Sequence, residues 1–255
     1  MSGWSALLLA GSRPGFDPFA QEHGTDLKAL IPVGGVPMVA RPTAALLAAP
    51  EIDRVRVLTQ QPARIAKSLP DDPRLSLELS GATIAATLEN ILADPSTSYP
   101  LLVTTADHAL LDPQMIADFC GLATGADLAI GMVERRALTA RLPETKRTWL
   151  KFRGGAYSGA NLFAFGSARA TKAVALWRSV EQDRKKGWRM VAALGPALLL
   201  GAVLRIRTLD QTLDAVGRRL GLTIRKIELS NPLAAVDVDK PADHALVTDI
   251  LEGRA

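Results

Sequence analysis

Ala6-Leu7-Leu8-Leu9-Ala10-Gly11-Ser12-Arg13 opens the patterned part of the chain, and Lys28-Ala29-Leu30-Ile31-Pro32-Val33-Gly34-Gly35-Val36-Pro37-Met38 follows across a polar loop containing Gly and Pro. The apolar run Ala6–Ala10 is short and unbroken, as a strand buried on both faces should be. It ends in a turn of small residues. Glycine there lets backbone N–H groups approach an anion closely. Arg13 adds a planar fork of donors and Lys28 a point charge. Strand, small-residue turn and two cations together read as a cradle for a triphosphate.

Outward from this stretch, strand-like and helix-like segments alternate, which argues for an α/β chain with a parallel sheet and helices on both faces. Strands are expected near 6–10, 55–59, 75–79, 100–105, 128–133 and 222–227. Helices are expected over 38–48, 83–93, 113–123, 168–186, 209–220 and 241–251. Thr83 and Pro113 suit helix starts, with Asp112 as the cap before Pro113, and Pro241 suits a first helical position. Residues 134–161 read as irregular, a stretch of the kind that builds the second half of a cleft. Residues 168–220 read as a helical insertion before the last strand. No linker or repeat divides the chain, so residues 1–255 are expected to form one domain.

Bulk properties narrow the functional classes. A length of 255 residues with 48% hydrophobic content fits a globular domain that buries about three quarters of its unfolded surface. The single cysteine, Cys120, excludes an internal disulfide framework and, set in an apolar pattern, reads as a buried thiol. The run Trp4–Ala10 reads as the first strand rather than a signal peptide, which suits a cytoplasmic protein. The longest apolar stretch, Met190–Leu204, contains Gly195, Pro196 and Gly201 and as a helix would span about 22 Å, short of the ~30 Å hydrocarbon core. Net charge is +4. That balance favours an anionic ligand. Basic clusters at Arg184-Lys185-Lys186 with Arg189, at Arg218-Arg219 and at Arg225-Lys226 carry little aromatic interleaving, so no nucleic-acid partner is expected.

Two acidic segments complete the picture. Thr104-Thr105-Ala106-Asp107-His108 ends the central strand Pro100–Thr105, and ligands of open α/β sheets bind at the carboxyl ends of strands. Asp107 is therefore placed to hold a hard cation such as magnesium, which binds through one or two carboxylates plus substrate phosphates. Near the other end, Val236-Asp237-Val238-Asp239-Lys240-Pro241-Ala242-Asp243 puts Asp237 and Asp239 on one side of an extended segment. Asp237 is the preferred second metal carboxylate. Asp239 alternatively caps the helix that Pro241 opens, and Asp243 complements its dipole. His23, His108 and His244 are not spaced as a metal triad, and His108, which follows Asp107, reads equally as a residue near the site and as a solvent-facing one. Neither Gly-x-Ser-x-Gly nor the Walker pattern occurs, which argues against a nucleophile elbow and a P-loop ATPase.

Taken in this order and spacing, these segments resemble the nucleotidyltransferases that include the molybdenum-cofactor guanylyltransferases and sugar-phosphate nucleotidyltransferases. The resemblance covers most of the chain. It implies a Rossmann-like, three-layer fold with a mostly parallel sheet, of the glycosyltransferase-A type. Ala10, Gly11, Ser12, Arg13 and Lys28 stand where the family places its phosphate-binding loop, and Asp107 and Asp237 where it places its metal aspartates. Gly81-Ala82-Thr83-Ile84-Ala85-Ala86-Thr87-Leu88-Glu89-Asn90 looks like the base- and ribose-facing segment, which assigns Gly81 and Thr83 to the nucleotide. Tyr157-Ser158-Gly159-Ala160-Asn161-Leu162 is similar to the strand lining the acceptor side, which assigns Gly159 and Asn161 to the acceptor. The family's loop is compact; here residues 14–27 intervene, as a lid or a short helix beside the triphosphate.

The expected activity is transfer of an NMP group from Mg-NTP, with CTP or GTP favoured, to a phosphorylated small-molecule acceptor. Lys28, Arg13 and Asp107 are the expected catalytic groups and Mg²⁺ the cofactor. Two other classes remain: a metal-dependent glycosyltransferase using a nucleotide-sugar, and a non-catalytic nucleotide sensor. The insertion, with Trp177, Trp188 and the Met190–Leu204 run, packs into the core, forms a dimer interface or borders a greasy acceptor. Its flanking basic clusters keep a lipid-linked acceptor and peripheral membrane contact in view.

Overall fold

The apolar runs become strands. In the computed structural model, which describes residues 3–12, 15–81, 83–182 and 204–255, Trp4–Leu9 forms β1. It lies parallel between β4 (Ile52–Thr59) and β6 (Leu101–Thr105). β2 (Pro32–Val33) and β3 (Val36–Pro37) make a small separate ribbon. The main sheet adds β5 (Leu75–Leu79), β7 (Leu128–Glu134), β8 (Leu150–Phe152), β9 (Gly155–Phe165) and β10 (Ile224–Glu228). Its order is β10-β7-β9-β6-β1-β4-β5, with β8 hairpinned onto β9. Every pairing along it is parallel except those of β9, which runs antiparallel to β6, β7 and β8.

Helices start where local chemistry starts them. α1 (Pro18–Glu22) is capped by Asp17, whose carboxylate accepts from the Phe19 and Ala20 amides. α2 (Ala40–Ala48) and the single turn α3 (Pro62–Ile65) follow. Thr83 caps α4 (Ile84–Ala93) through Ala86 N–H at 3.1 Å, and Asp112 caps α5 (Pro113–Ala123) through Met115 N–H at 2.7 Å. α6 covers Arg135–Arg141 and α7 Thr171–Gln182. α8 (Leu209–Leu220) opens on a reciprocal Thr208–Gln211 capping box and closes on Gly221 at φ 68°, the left-handed conformation glycine adopts without strain. α9 (Pro241–Leu251) completes the chain.

Two apolar clusters, one on each face of the sheet, give the three layers. One gathers Leu8, Ile31, Met38, Leu102, Ile116, Phe119 and Val247. The other gathers Leu7, Leu58, Leu88, Leu92, Val103 and Phe165. Leu7 and Leu8, adjacent on β1, point to opposite clusters, as the period of two requires.

The expected elements appear close to their expected ends, with three differences. Residues 134–161 are irregular only over 142–149; the rest holds α6, β8 and most of β9. The last strand begins at Ile224, because Gly221 still belongs to the helix terminus. The expected helix over 168–186 begins with a 3-10 turn, Ala168–Ala170, before α7. Residues 183–203, including Trp188 and most of the Met190–Leu204 run, lie outside the described residues. Trp177 on α7 is 42% exposed, so it does not pack into the core. Cys120 is buried, and burial pushes its thiol up to about 12.

Candidate active site

The carboxyl ends of β1 and β6 are locked together by Ala106 N–H donating to Leu9 O at 3.0 Å. The Gly11-Ser12 turn and Asp107 therefore emerge side by side. Gln60, just past β4, holds the turn by accepting from Ser12 N–H at 2.9 Å. A Cβ on Gly11 would approach the Gln60 amide nitrogen to 3.1 Å, so the tight packing favours glycine there. Arg13 lies outside the described residues. The intervening segment carries α1, the short-helix form of the two expected for 14–27.

Lys28 sits on a single 3-10 turn, Lys28–Leu30. Its ammonium donates to Asp107 Oδ2 at 3.1 Å and to Asp239 Oδ1 at 2.6 Å. Burial works against the charged lysine, but Asp107 and Asp239 outweigh it and hold its pKa above the ordinary value. Thr105 donates its hydroxyl to the other oxygen of Asp107 and so fixes the carboxylate plane. A backbone bond, Val238 N–H to Asp107 O at 3.0 Å, ties the two acidic segments directly.

Asp237 faces the other way along the same cleft. It accepts from the Arg147 guanidinium and, at 3.3 Å, from Asn161 Nδ2. Burial raises its pKa, Arg147 pulls it down, and the negative neighbours Asp239 and Asp107 push it up again. Arg147 also stands 3.8 Å from Asp243, and its Nε is buried without a partner. Asn161 reaches Asp237 because β9 is irregular at this point. Pairing shifts register between Ile130 and Met132, and Asn161, opposite Gly131, takes a left-handed φ of 49°. A bulge of this kind re-aims a side chain.

Lys28, Asp107, Asp237, Asp239 and Asn161 thus form one neighbourhood, linked by hydrogen bonds and by the charges of Asp107 and Asp239 acting on Asp237. Gly159 shares a strand with Asn161 but pairs with Met132, and no described contact joins it to the acidic residues. Gly81 N–H donates to Thr87 Oγ1 at 2.9 Å, and Thr83 is occupied as the α4 cap; both lie beyond the end of β5, apart from the carboxylates. Two expectations need correcting. Asp239 does not cap α9: Lys240 holds that position without a side-chain bond, and Asp243 instead accepts from Asp239 N–H at 3.3 Å. His108 does not face solvent: it is 1% exposed, and burial lowers its pKa to about 4. His23 and His244 lie with ring centroids 4.5 Å apart, tilted at 41°, beside Phe19.

Among the described residues, no three His, Cys, Asp or Glu side chains form a metal-binding group. The oxygen donors nonetheless suit a hard cation that draws its remaining ligands from phosphate and water. The Lys28 ammonium, held between two of the carboxylates, shows that the place accepts positive charge. Arg147 and Gln60 went unnoticed in the sequence; Arg147 stands 90 positions from Asp237 within a run of alternating charges that gives no local signal.

Comparison with known proteins follows the same lines. A family model described as MobA-like NTP transferase domain matches residues 6–219. A hypothetical transferase from Thermus thermophilus superposes with a TM-score of 0.79 at 30% identity, covering 95% of this chain and 99% of that one. A CMP:2-keto-3-deoxy-manno-octonic acid synthetase complexed with CTP gives 0.61 at 12% identity, covering 99% and 100%. The 4-diphosphocytidyl-2C-methyl-D-erythritol synthase of Anaerococcus prevotii gives 0.59 at 10%, covering 98% and 99%. These last two likenesses concern the fold. No curated protein matches by sequence.

Proposed function

The chain belongs to the MobA-like NTP transferase domain family, and on that premise we propose that it moves an NMP group from Mg-NTP to a phosphorylated small-molecule acceptor. Nucleotidyl transfer is the family's chemistry; the metal, the acceptor and the residue roles are our reading. What carries it is the Lys28 ammonium bridging Asp107 and Asp239 beside the Gly11-Ser12 turn, with Asp237 alongside.

The bond chemistry asks little of the protein. An acceptor phosphate oxygen attacks the α-phosphorus, forming one O–P bond while the bridging P–O bond breaks and pyrophosphate leaves with its electron pair. That nucleophile is already ionised at neutral pH, so no general base is needed, and positioning and charge stabilisation dominate. Lys28, Arg13 and the Gly11 amide neutralise charge growing on pyrophosphate, joined by the Ser12 amide when it exchanges its bond to Gln60 for a phosphate oxygen. Asp107 and Asp237 are the residues that would hold Mg²⁺, which when bound would supply Lewis-acid stabilisation of charge on the NTP phosphates. Gly81 and Thr83 border the nucleoside, for which CTP and GTP are the first candidates, and Gly159 and Asn161 border the acceptor. Residues 1–255 act as one cytoplasmic domain.

The test is thermal unfolding with each of CTP, GTP, ATP and UTP, with and without Mg²⁺. Ligand at a hundred times its dissociation constant adds about 2.7 kcal/mol, a readily visible shift. One NTP stabilising the protein only with Mg²⁺, and not Asp107→Ala, is the expected result. In a turnover assay the folded Asp107→Ala protein should lose at least ~100-fold. Stabilisation by a nucleotide-sugar and by no NTP would replace this reading with the glycosyltransferase one.

A further inference from the structure

Two open clefts flank the β8–β9 hairpin, and their charge is unbalanced. One, of 650 Å³, presents Arg135, Arg136, Lys151 and Arg205 against Glu134 alone. The other, of 440 Å³, presents Arg153, Arg207 and Arg218 against Asp214 alone. Among the described residues none of these cations forms an ion pair, whereas Arg56, Arg64, Arg74 and Arg147 each find a carboxylate. The two clefts make one continuous face, because Arg153 N–H donates to Arg207 O at 3.0 Å and pins the hairpin to the Leu204–Arg207 segment.

The hairpin end of this face stands away from the carboxylates. Gly155, at the hairpin, stands six positions along β9 from Asn161, about 20 Å at ~3.3 Å per residue. The cations at that end, Arg153 and Arg207, are therefore placed to meet an anion other than the triphosphate. Aliphatic side chains stand among them: Leu204 is 58% exposed, Ile206 56% and Leu150 46%. Exposed leucine and isoleucine on a basic rim match hydrocarbon beneath anionic headgroups, while stacking of nucleobases would call for aromatic rings. Only Phe152 among the cleft-lining residues is aromatic.

We propose that the β8–β9 hairpin and the Leu204–Arg207 segment form a docking face for an anionic lipid surface, engaged peripherally through arginines and shallowly inserted aliphatic side chains. No helix among the described residues is long and apolar enough to cross a membrane, so attachment is reversible. It needs both signals, charge and apolar contact, as peripheral attachment generally does. The inference goes beyond the transferase reading and does not depend on it.

Sedimentation with vesicles, without any NTP, tests it. The full chain should bind vesicles of phosphatidylcholine with about 30% phosphatidylglycerol at ~0.1 M salt, and release them at ~0.5 M. Plain phosphatidylcholine should not retain it. Arg153→Glu with Arg207→Glu should cut binding by about 25-fold or more, from about fivefold for each basic side chain at such a surface. Leu204→Ser with Ile206→Ser should weaken it while preserving the salt dependence. A charge-matched control, Arg54→Glu with Lys67→Glu at the opposite edge of the sheet, separates this face from the protein's general positive charge. Equal losses in the control and the Arg153/Arg207 variant would overturn the proposal. So would absence of binding to anionic vesicles, or binding of a single-stranded RNA to this face with none to vesicles.

Discussion

Replacing Gly131 by alanine should damage the site from the far side of a strand. A Cβ at Gly131 would stand 3.0 Å from Leu162 Cβ, 3.2 Å from Leu162 O and 3.4 Å from Ala160 Cβ, so β9 must give by a few tenths of an ångström. Overpacking of this sort costs about 1–3 kcal/mol of stability. The displaced backbone carries Asn161, whose bond to Asp237 is already 3.3 Å long and would break. A hydrogen bond to a charged group is worth about 1.5–3 kcal/mol, or ~10- to 150-fold in kcat/KM where the transition state uses it in full. Chemical denaturation reads the first effect and pyrophosphate release the second. The decisive comparison is a double-mutant cycle with Asn161→Ala. If Gly131 acts on catalysis through Asn161, Gly131→Ala adds nothing to kcat/KM once Asn161 is gone. Independent, multiplying losses would refute the reasoning, as would a Gly131→Ala enzyme with unchanged kcat/KM.

Other substitutions address other parts of the molecule. Lys28→Ala should raise the KM for NTP and lower turnover by about 100-fold, since it leaves Asp107 and Asp239 facing each other without their shared cation; steady-state kinetics with varied NTP measures it. Phe119→Ala, in the core between α5 and the sheet, should cost about 3–5 kcal/mol in a denaturant titration without moving KM. Thr208→Ala removes half of the α8 capping box and should cost about 1 kcal/mol in the same experiment. Cys120, with its thiol pushed up to about 12, carries almost no thiolate at pH ~8 and should resist alkylation in the native protein, then react at once in denaturant.

Local signals were readable from the sequence where the physics is local. Thr83, Asp112, Pro113 and Pro241 mark helix starts because a cap needs only its own first turn, and all four stand where expected. β9 was expected as a strand only through the family resemblance, because its residue pattern alone gives no strand signal. Tyr157-Ser158-Gly159-Ala160-Asn161 has no alternating apolar pattern; Tyr157, Ser158 and Gly159 are extended because they pair with β7, with Tyr157 also pairing with β8. The acidic residues were legible because each follows an apolar run at the end of an element. Their cationic partners divide: Lys28 belongs to a motif, whereas Arg147 is one arginine among several charges, chosen by a fold that brings position 237 to it. His108 stood between two readings, near the site or in solvent: it follows Asp107 and precedes Ala109-Leu110-Leu111, and only packing decides that it is buried.

The bond from Val238 N–H to Asp107 O has a consequence for how such a site can change over generations. It joins two segments more than a hundred residues apart through main-chain atoms that every residue except proline supplies. The separation of the carboxylate-bearing positions is thus inherited with the backbone, independent of what those positions carry. A lineage can exchange the acidic side chains, altering or silencing the chemistry, without losing the framework that would let a later substitution restore it.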